Sequence, residues 1–122
     1  MVVSQGDVFW IQFGSARGAE PAKLRPGLII SHNRFNASRI DTVVVAAVTS
    51  NLRLADAPGN VALDLGEGGL AKSSVVNISQ LRTVDREFLG QRIGALSARR
   101  MDQVWQGLSL LLEPEVLDRQ QR

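Results

Sequence analysis

The sequence predicts a mainly β fold: a small barrel closed by one helix at its C-terminal end. Two patterns carry this. Short apolar runs rich in β-branched residues recur between residues 7 and 93, divided by turns that contain Gly or Pro. Helical periodicity is strong only near the end, where Met101, Val104, Trp105, Leu108, Leu111 and Leu112 recur at helical spacing. With 122 residues and 44% apolar composition, the chain suits a single domain spanning 1–122 around one core.

The elements follow in order. Residues 7–13 form a first strand of β-branched and aromatic side chains, interrupted by Gln12. Residues 14–25 are polar and turn-rich, a surface loop feeding a second strand over 27–32. Residues 32–39 are polar, with room for one short helical turn. Residues 41–49 make the most apolar strand, expected at the centre and covered on both faces. After a loop over 50–58, residues 60–65 alternate: Val61, Leu63 and Leu65 on one side, Ala62 and Asp64 on the other. Residues 66–69 form a flexible turn, and strands follow over 74–78 and 80–84, with a bend at Ser79. A turn at 85–87 leads to a last strand over 88–93. Ser97 then caps the helix, and Pro114 ends it. The tail, 116–122, is expected to fray.

Composition narrows the function. There is no cysteine, hence no disulfide, thiol nucleophile or Cys-ligated zinc. The N-terminus lacks the basic and apolar regions of a signal peptide, and no apolar run approaches membrane-spanning length. A cytoplasmic location is the expectation. Net charge is only +2, but Lys23 and Lys72 are the only lysines among 14 basic residues. Such arginine enrichment suits phosphate or an acidic partner, and equally a solvated surface.

The chemistry is bounded next. His32 is the only histidine and ends a strand, so a two-histidine ribonuclease mechanism is unavailable. Asp7, Glu20, Asp41, Asp64 and Glu67 are scattered singly, which does not suit a two-metal nuclease. No metal ligand set, phosphate-cradling loop or dinucleotide fingerprint is present, so neither a metal nor a cofactor is expected. Arg, Thr, Ser, Gln and one loop Glu remain. Arg25 precedes Pro26, which favours extended backbone at the mouth of the second strand. With Lys23 and Glu20 nearby, its planar guanidinium suits a phosphodiester; a salt bridge to Glu20 is the structural alternative. Thr49, Ser50 and Asn51 leave the core together, as rim donors or as turn formers. Ser73 and Ser74 carry the same ambiguity. Gln80 and Arg82 share one strand face, lining a groove or simply facing solvent.

Together these pieces resemble the MazF/PemK family of toxin endoribonucleases. The matching stretches are Gly6-Asp7-Val8-Phe9-Trp10, Gly18-Ala19-Glu20 through Arg25-Pro26, Leu28-Ile29-Ile30-Ser31, Asn33-Arg34-Phe35-Asn36, Val48-Thr49-Ser50-Asn51, Gly69-Leu70 through Ser74-Val75-Val76, and Gln80-Leu81-Arg82-Thr83-Val84-Asp85. Their order and spacing hold from about residue 5 to residue 112. The chain departs at Ser73-Ser74, where the family often has Asp-Ser, and at Pro21 and Leu24, where smaller or polar residues are usual.

The resemblance implies an SH3-like barrel with a terminal helix, shared with CcdB-type toxins, and a homodimer. It implies metal-independent cleavage of single-stranded RNA at short sequence motifs, with 2′,3′-cyclic phosphate and 5′-OH ends. A cognate antitoxin would lay an acidic, partly disordered segment across the active groove. Arg25 and Thr49 match the catalytic pair, and Glu20 a loop glutamate. Ser74 and Gln80 match groove-lining positions; Lys23, Ser50, Asn51, Ser73 and Arg82 complete the expected RNA-binding set. A guanidinium holds its proton too tightly to act as a base, so Arg25 suits charge stabilisation and Glu20 proton abstraction. Two other functions fit the same barrel: a CcdB-like poison of a protein target such as gyrase, and an inactive antitoxin-binding module. Trp10 and Phe13 are expected in the core, which leaves base recognition mainly to Arg, Asn and Gln.

Overall fold

The computed structural model describes residues 2–14 and 23–116. Six strands form one antiparallel sheet in the order β4-β5-β3-β2-β1-β6. They are β1 (Asp7–Gln12), β2 (Leu24–Ile29), β3 (Thr42–Thr49), β4 (Val61–Leu63), β5 (Ser74–Asp85) and β6 (Leu89–Ala95). A four-residue helix, α1 (Asn33–Asn36), links β2 to β3, and α2 (Ala98–Leu112) closes the chain. The sheet curls into a half-barrel, which leaves an apolar core on each of its faces.

Strand alternation builds the two cores. Val8, Leu28, Ala46, Val48, Val76 and Ile78 point to one face, where Met101, Val104 and Leu108 of α2 cover them. Phe9, Ile11, Ile29, Val43, Val45 and Val84 point to the other, inside the curl, with Leu89 and Val3. β3 supplies both cores and sits between β2 and β5, which is the central, doubly covered place expected from its apolar run. Each fully buried large side chain contributes about 1.5–3 kcal/mol, so both cores matter to stability.

β5 departs from expectation. It is one strand of 12 residues, not two. The register to β3 jumps from Ala46↔Leu81 to Ala47↔Asn77, so the expected bend at Ser79 is a bulge inside a continuous ladder. The Ser79 hydroxyl donates to Asn77 Oδ1 at 3.2 Å within it. β2 also departs: it starts at Leu24, so Arg25 and Pro26 lie in the strand and not in the loop before it. Pro26 is tolerated because the β2–β3 pairing runs only over Gly27, Leu28 and Ile29, leaving its stretch laddered to β1. β4 is shorter than expected and Leu65 is exposed, since the chain turns into a 3₁₀ segment at Glu67–Gly69.

That segment is held, not loose. Arg100 of α2, with a side chain only 13% exposed, donates from Nε to both carboxylate oxygens of Glu67 at 3.0 and 3.1 Å. Glu67 accepts the Asp64 backbone N–H at 2.7 Å as well. Ser97 caps α2 as expected, accepting the Arg100 N–H at 3.2 Å. His32 caps α1, its Nδ1 accepting the Arg34 N–H at 3.0 Å, a structural role for the single histidine.

Candidate active face of the sheet

The site begins with register. β2 and β3 pair Gly27 with Ala47, Leu28 with Ala46 and Ile29 with Val45. Continued by two residues, that register sets Arg25 opposite Thr49, the last residue of β3. Alternation turns both side chains to the face that carries Ile29 and Val45. Arg25 is exposed and Thr49 half-buried. Thr49 Oγ1 accepts the backbone N–H of Asn51 at 3.1 Å, which leaves its hydroxyl proton to donate outward.

Other expected residues divide between the two faces. Leu81 packs toward α2 and Arg82 pairs with Val45, so Arg82 falls on the Arg25 side; Gln80 lies in the bulge, and both are exposed. The Arg82 guanidinium lies 5.5 Å from the centre of the Phe13 ring. Ser50 and Ser74 line a cavity of about 450 Å³ on the α2 side, with Trp10, Pro26, Val48 and Lys72. Ser74 is buried, and its Oγ donates to the Lys72 carbonyl at 2.8 Å. Asn51 is exposed and accepts the Arg53 N–H at 3.3 Å, capping the 3₁₀ turn Leu52–Asp56. Lys23 is exposed just before β2, and Ser73 is half-buried before β5. Glu20, with residues 15–22, lies outside the described residues.

Two placements differ from those read in the sequence. Trp10 is 40% exposed and lines the cavity, because it pairs with Pro26 at a strand end that α2 does not reach. Lys72, one of only two lysines, borders the same cavity and was not among the expected site residues. Gly6-Asp7, by contrast, is structural. Gly6 sits at φ 94° and bridges β2 and the start of α2's leader, donating to the Ile29 carbonyl at 2.8 Å and accepting from Leu96 N–H at 3.0 Å. Asp7 is buried, accepting from Ser4 N–H at 2.9 Å and Arg92 Nη2 at 3.1 Å. Among the described residues, no three His, Asp or Glu side chains converge as a metal site.

A family model described as "PemK-like, MazF-like toxin of type II toxin-antitoxin system" matches residues 4–112. The chain belongs to this family. Among its PemK/MazF relatives, endoribonuclease MazF6 of Mycobacterium tuberculosis is 40% identical over 113 residues, 93% of this chain and 99% of the relative. Endoribonuclease EndoA of Bacillus subtilis is 33% identical over 92% of this chain and 96% of its own length. The fold is the one seen in a MazE–MazF crystal structure from Deinococcus radiodurans, with TM-score 0.77 and 23% identity over 94% of this chain and 99% of that one. A mycobacterial endoribonuclease solved with its cognate antitoxin gives TM-score 0.75 at 23% identity, covering 93% of this chain and 99% of that one.

Proposed function

We propose that this PemK/MazF-family chain is the toxin of a type II toxin–antitoxin system and acts as an endoribonuclease. It cuts single-stranded RNA at a short sequence, without a metal ion, leaving 2′,3′-cyclic phosphate and 5′-OH ends. The observation that carries this is the β2–β3 register, which when continued puts Arg25 and Thr49, a permanent cation and a hydroxyl donor, on one face at adjoining strand ends. The names of the curated relatives favour it over a gyrase poison or an inactive binding module.

The nucleophile is the substrate's own 2′-OH. It forms a bond to the adjacent phosphorus as the bond to the 5′-oxygen breaks, so no metal-activated water is needed. Arg25 stabilises the charge that grows on the non-bridging oxygens, and Thr49 donates to one of them. Glu20 takes the 2′ proton, and the departing 5′-oxygen takes a proton from water. Lys23, Ser50, Asn51, Ser73, Gln80 and Arg82 hold the strand on either side, and Ser74, buried with its hydroxyl donating to the Lys72 carbonyl, supports the rim beneath them. The chain works as one toxin domain, as a homodimer, in the cytoplasm. Its cognate antitoxin, an acidic and partly disordered segment in the manner of MazE, silences it by covering the groove. No helix among the described residues is long and apolar enough to cross a membrane.

The test is a long RNA incubated in EDTA with the wild type and with Arg25→Ala, the ends mapped by primer extension. The wild type cuts at discrete sites, and Arg25→Ala loses about 100-fold or more of the rate. A single 2′-deoxy nucleotide on the 5′ side of the cut abolishes cleavage there. Cutting that survives the deoxy substitution refutes the mechanism. No cuts by a folded dimer, with inhibited supercoiling in a gyrase assay, would establish the poison instead.

A further inference from the structure

The curl of the sheet leaves a seam where the end of β1 meets the end of β5. A polar cavity of about 270 Å³ lies there, between Phe13 on one side and Arg82, Asp85 and Phe88 on the other. Three features set it apart from an ordinary surface notch. The Arg82 guanidinium is anchored over the Phe13 ring at 5.5 Å, yet Arg82 is exposed, so a stacking surface on the cation remains open. Phe88 is a large aromatic left 37% exposed on the same cavity. Asp85 begins the 3₁₀ turn Arg86–Phe88 but makes no side-chain cap bond there, and it is exposed.

The seam is continuous with the candidate active face. The tip of the Phe13 ring lies 3.1 Å from where a Cβ on Gly27 would stand, and Gly27 shares its strand face with Arg25. A Cβ there would meet the Ile11 side chain first, so the glycine leaves room for Ile11 and brings Phe13 close over the strand. Arg82 faces the same side, opposite Val45.

We propose that this seam is a base-recognition subsite for one nucleotide flanking the cut, selective for a base with an exocyclic amine. It rests on the endoribonuclease function proposed above. The unpaired base stacks on the Arg82 guanidinium and the Phe88 ring, as single-stranded bases do on aromatic and guanidinium planes. The Asp85 carboxylate accepts a hydrogen bond from the amine of cytosine, adenine or guanine. Uracil has no such amine and is disfavoured. The carboxylate also argues for a base, not a phosphate, as the occupant.

The test has two readouts on the intact protein and its Asp85→Asn and Phe88→Ala variants. One maps cut sites in an RNA pool and scores base preference at each position around the cut. The other measures anisotropy with oligo(A), oligo(C) and oligo(U). The expected result is loss of the bias against U at one flanking position in Asp85→Asn, with preferences elsewhere kept. Phe88→Ala weakens binding of all three oligomers about tenfold. Wild-type cutting with unchanged preferences in a folded Asp85→Asn variant overturns the subsite and leaves the nuclease standing. A wild type that neither cuts nor binds RNA overturns both. Asp85→Asn is an isosteric change at an exposed position, so the test survives even if Phe88→Ala fails to fold.

Discussion

Thr49 uses its hydroxyl in two directions. The oxygen accepts from the Asn51 N–H at 3.1 Å and ties the strand end to the turn, while the proton is left to donate outward. Thr49→Val therefore separates structure from chemistry. Losing the turn bond costs about 1 kcal/mol of stability, a small shift in melting temperature. Losing the donor slows cleavage about 100-fold. Thr49→Ser restores most of the rate. Cleavage by Thr49→Val at the wild-type rate, at full stability, would show that Thr49 takes no part. The candidacy of Arg25 and Thr49 as site residues was legible through the family resemblance. Their alignment was not, because it depends on how β2 and β3 pair, and a single sequence does not encode register visibly.

At the scale of elements, the strongest sequence signals read correctly. The apolar run of β3 and the capped, periodic stripe of α2 are each sustained over many residues. The failures share one cause, which is local polarity overridden by partner strands. Arg25-Pro26 looks like loop, yet it is laddered to β1; Ser79 looks like a break, yet β3 carries the pairing past it. The turn Glu67–Gly69 is likewise ordered by a distant residue. Arg100, hydrogen-bonded to Glu67, holds that carboxyl below the ordinary carboxylate range, with the Asp64 N–H and Arg99 adding to it. A carboxylate with a lowered folded pKa stabilises the fold above its unfolded pKa, and the gain is lost as pH falls through the folded value. Glu67→Gln should then melt below the wild type at neutral pH, and the two curves should converge in acid. A gap that stays constant down to strong acid would mean that the charge does not contribute.

At the scale of the whole molecule, α2 carries more apolar surface than its own core uses. Leu110, Leu111 and Leu112 are 56%, 46% and 65% exposed, where the helix stripe had suggested burial for the last two. A second copy of the chain would account for them. Sedimentation should give twice the chain mass at micromolar concentration, and Leu112→Glu should lower it toward one. A wild type that sediments as a monomer throughout would contradict the homodimer. The bulged β5 has a different consequence. Its first half carries Val76 and Ile78 into the core beneath α2, and its second half carries Val84 into the core within the curl. The two cores are thus joined by one unbroken strand in the interior of the sheet. Neither can melt without unzipping a ladder that the other needs. Amide exchange from β3 and β5 should report a single free energy of opening, and chemical denaturation a single transition, despite a molecule that has two separate apolar clusters.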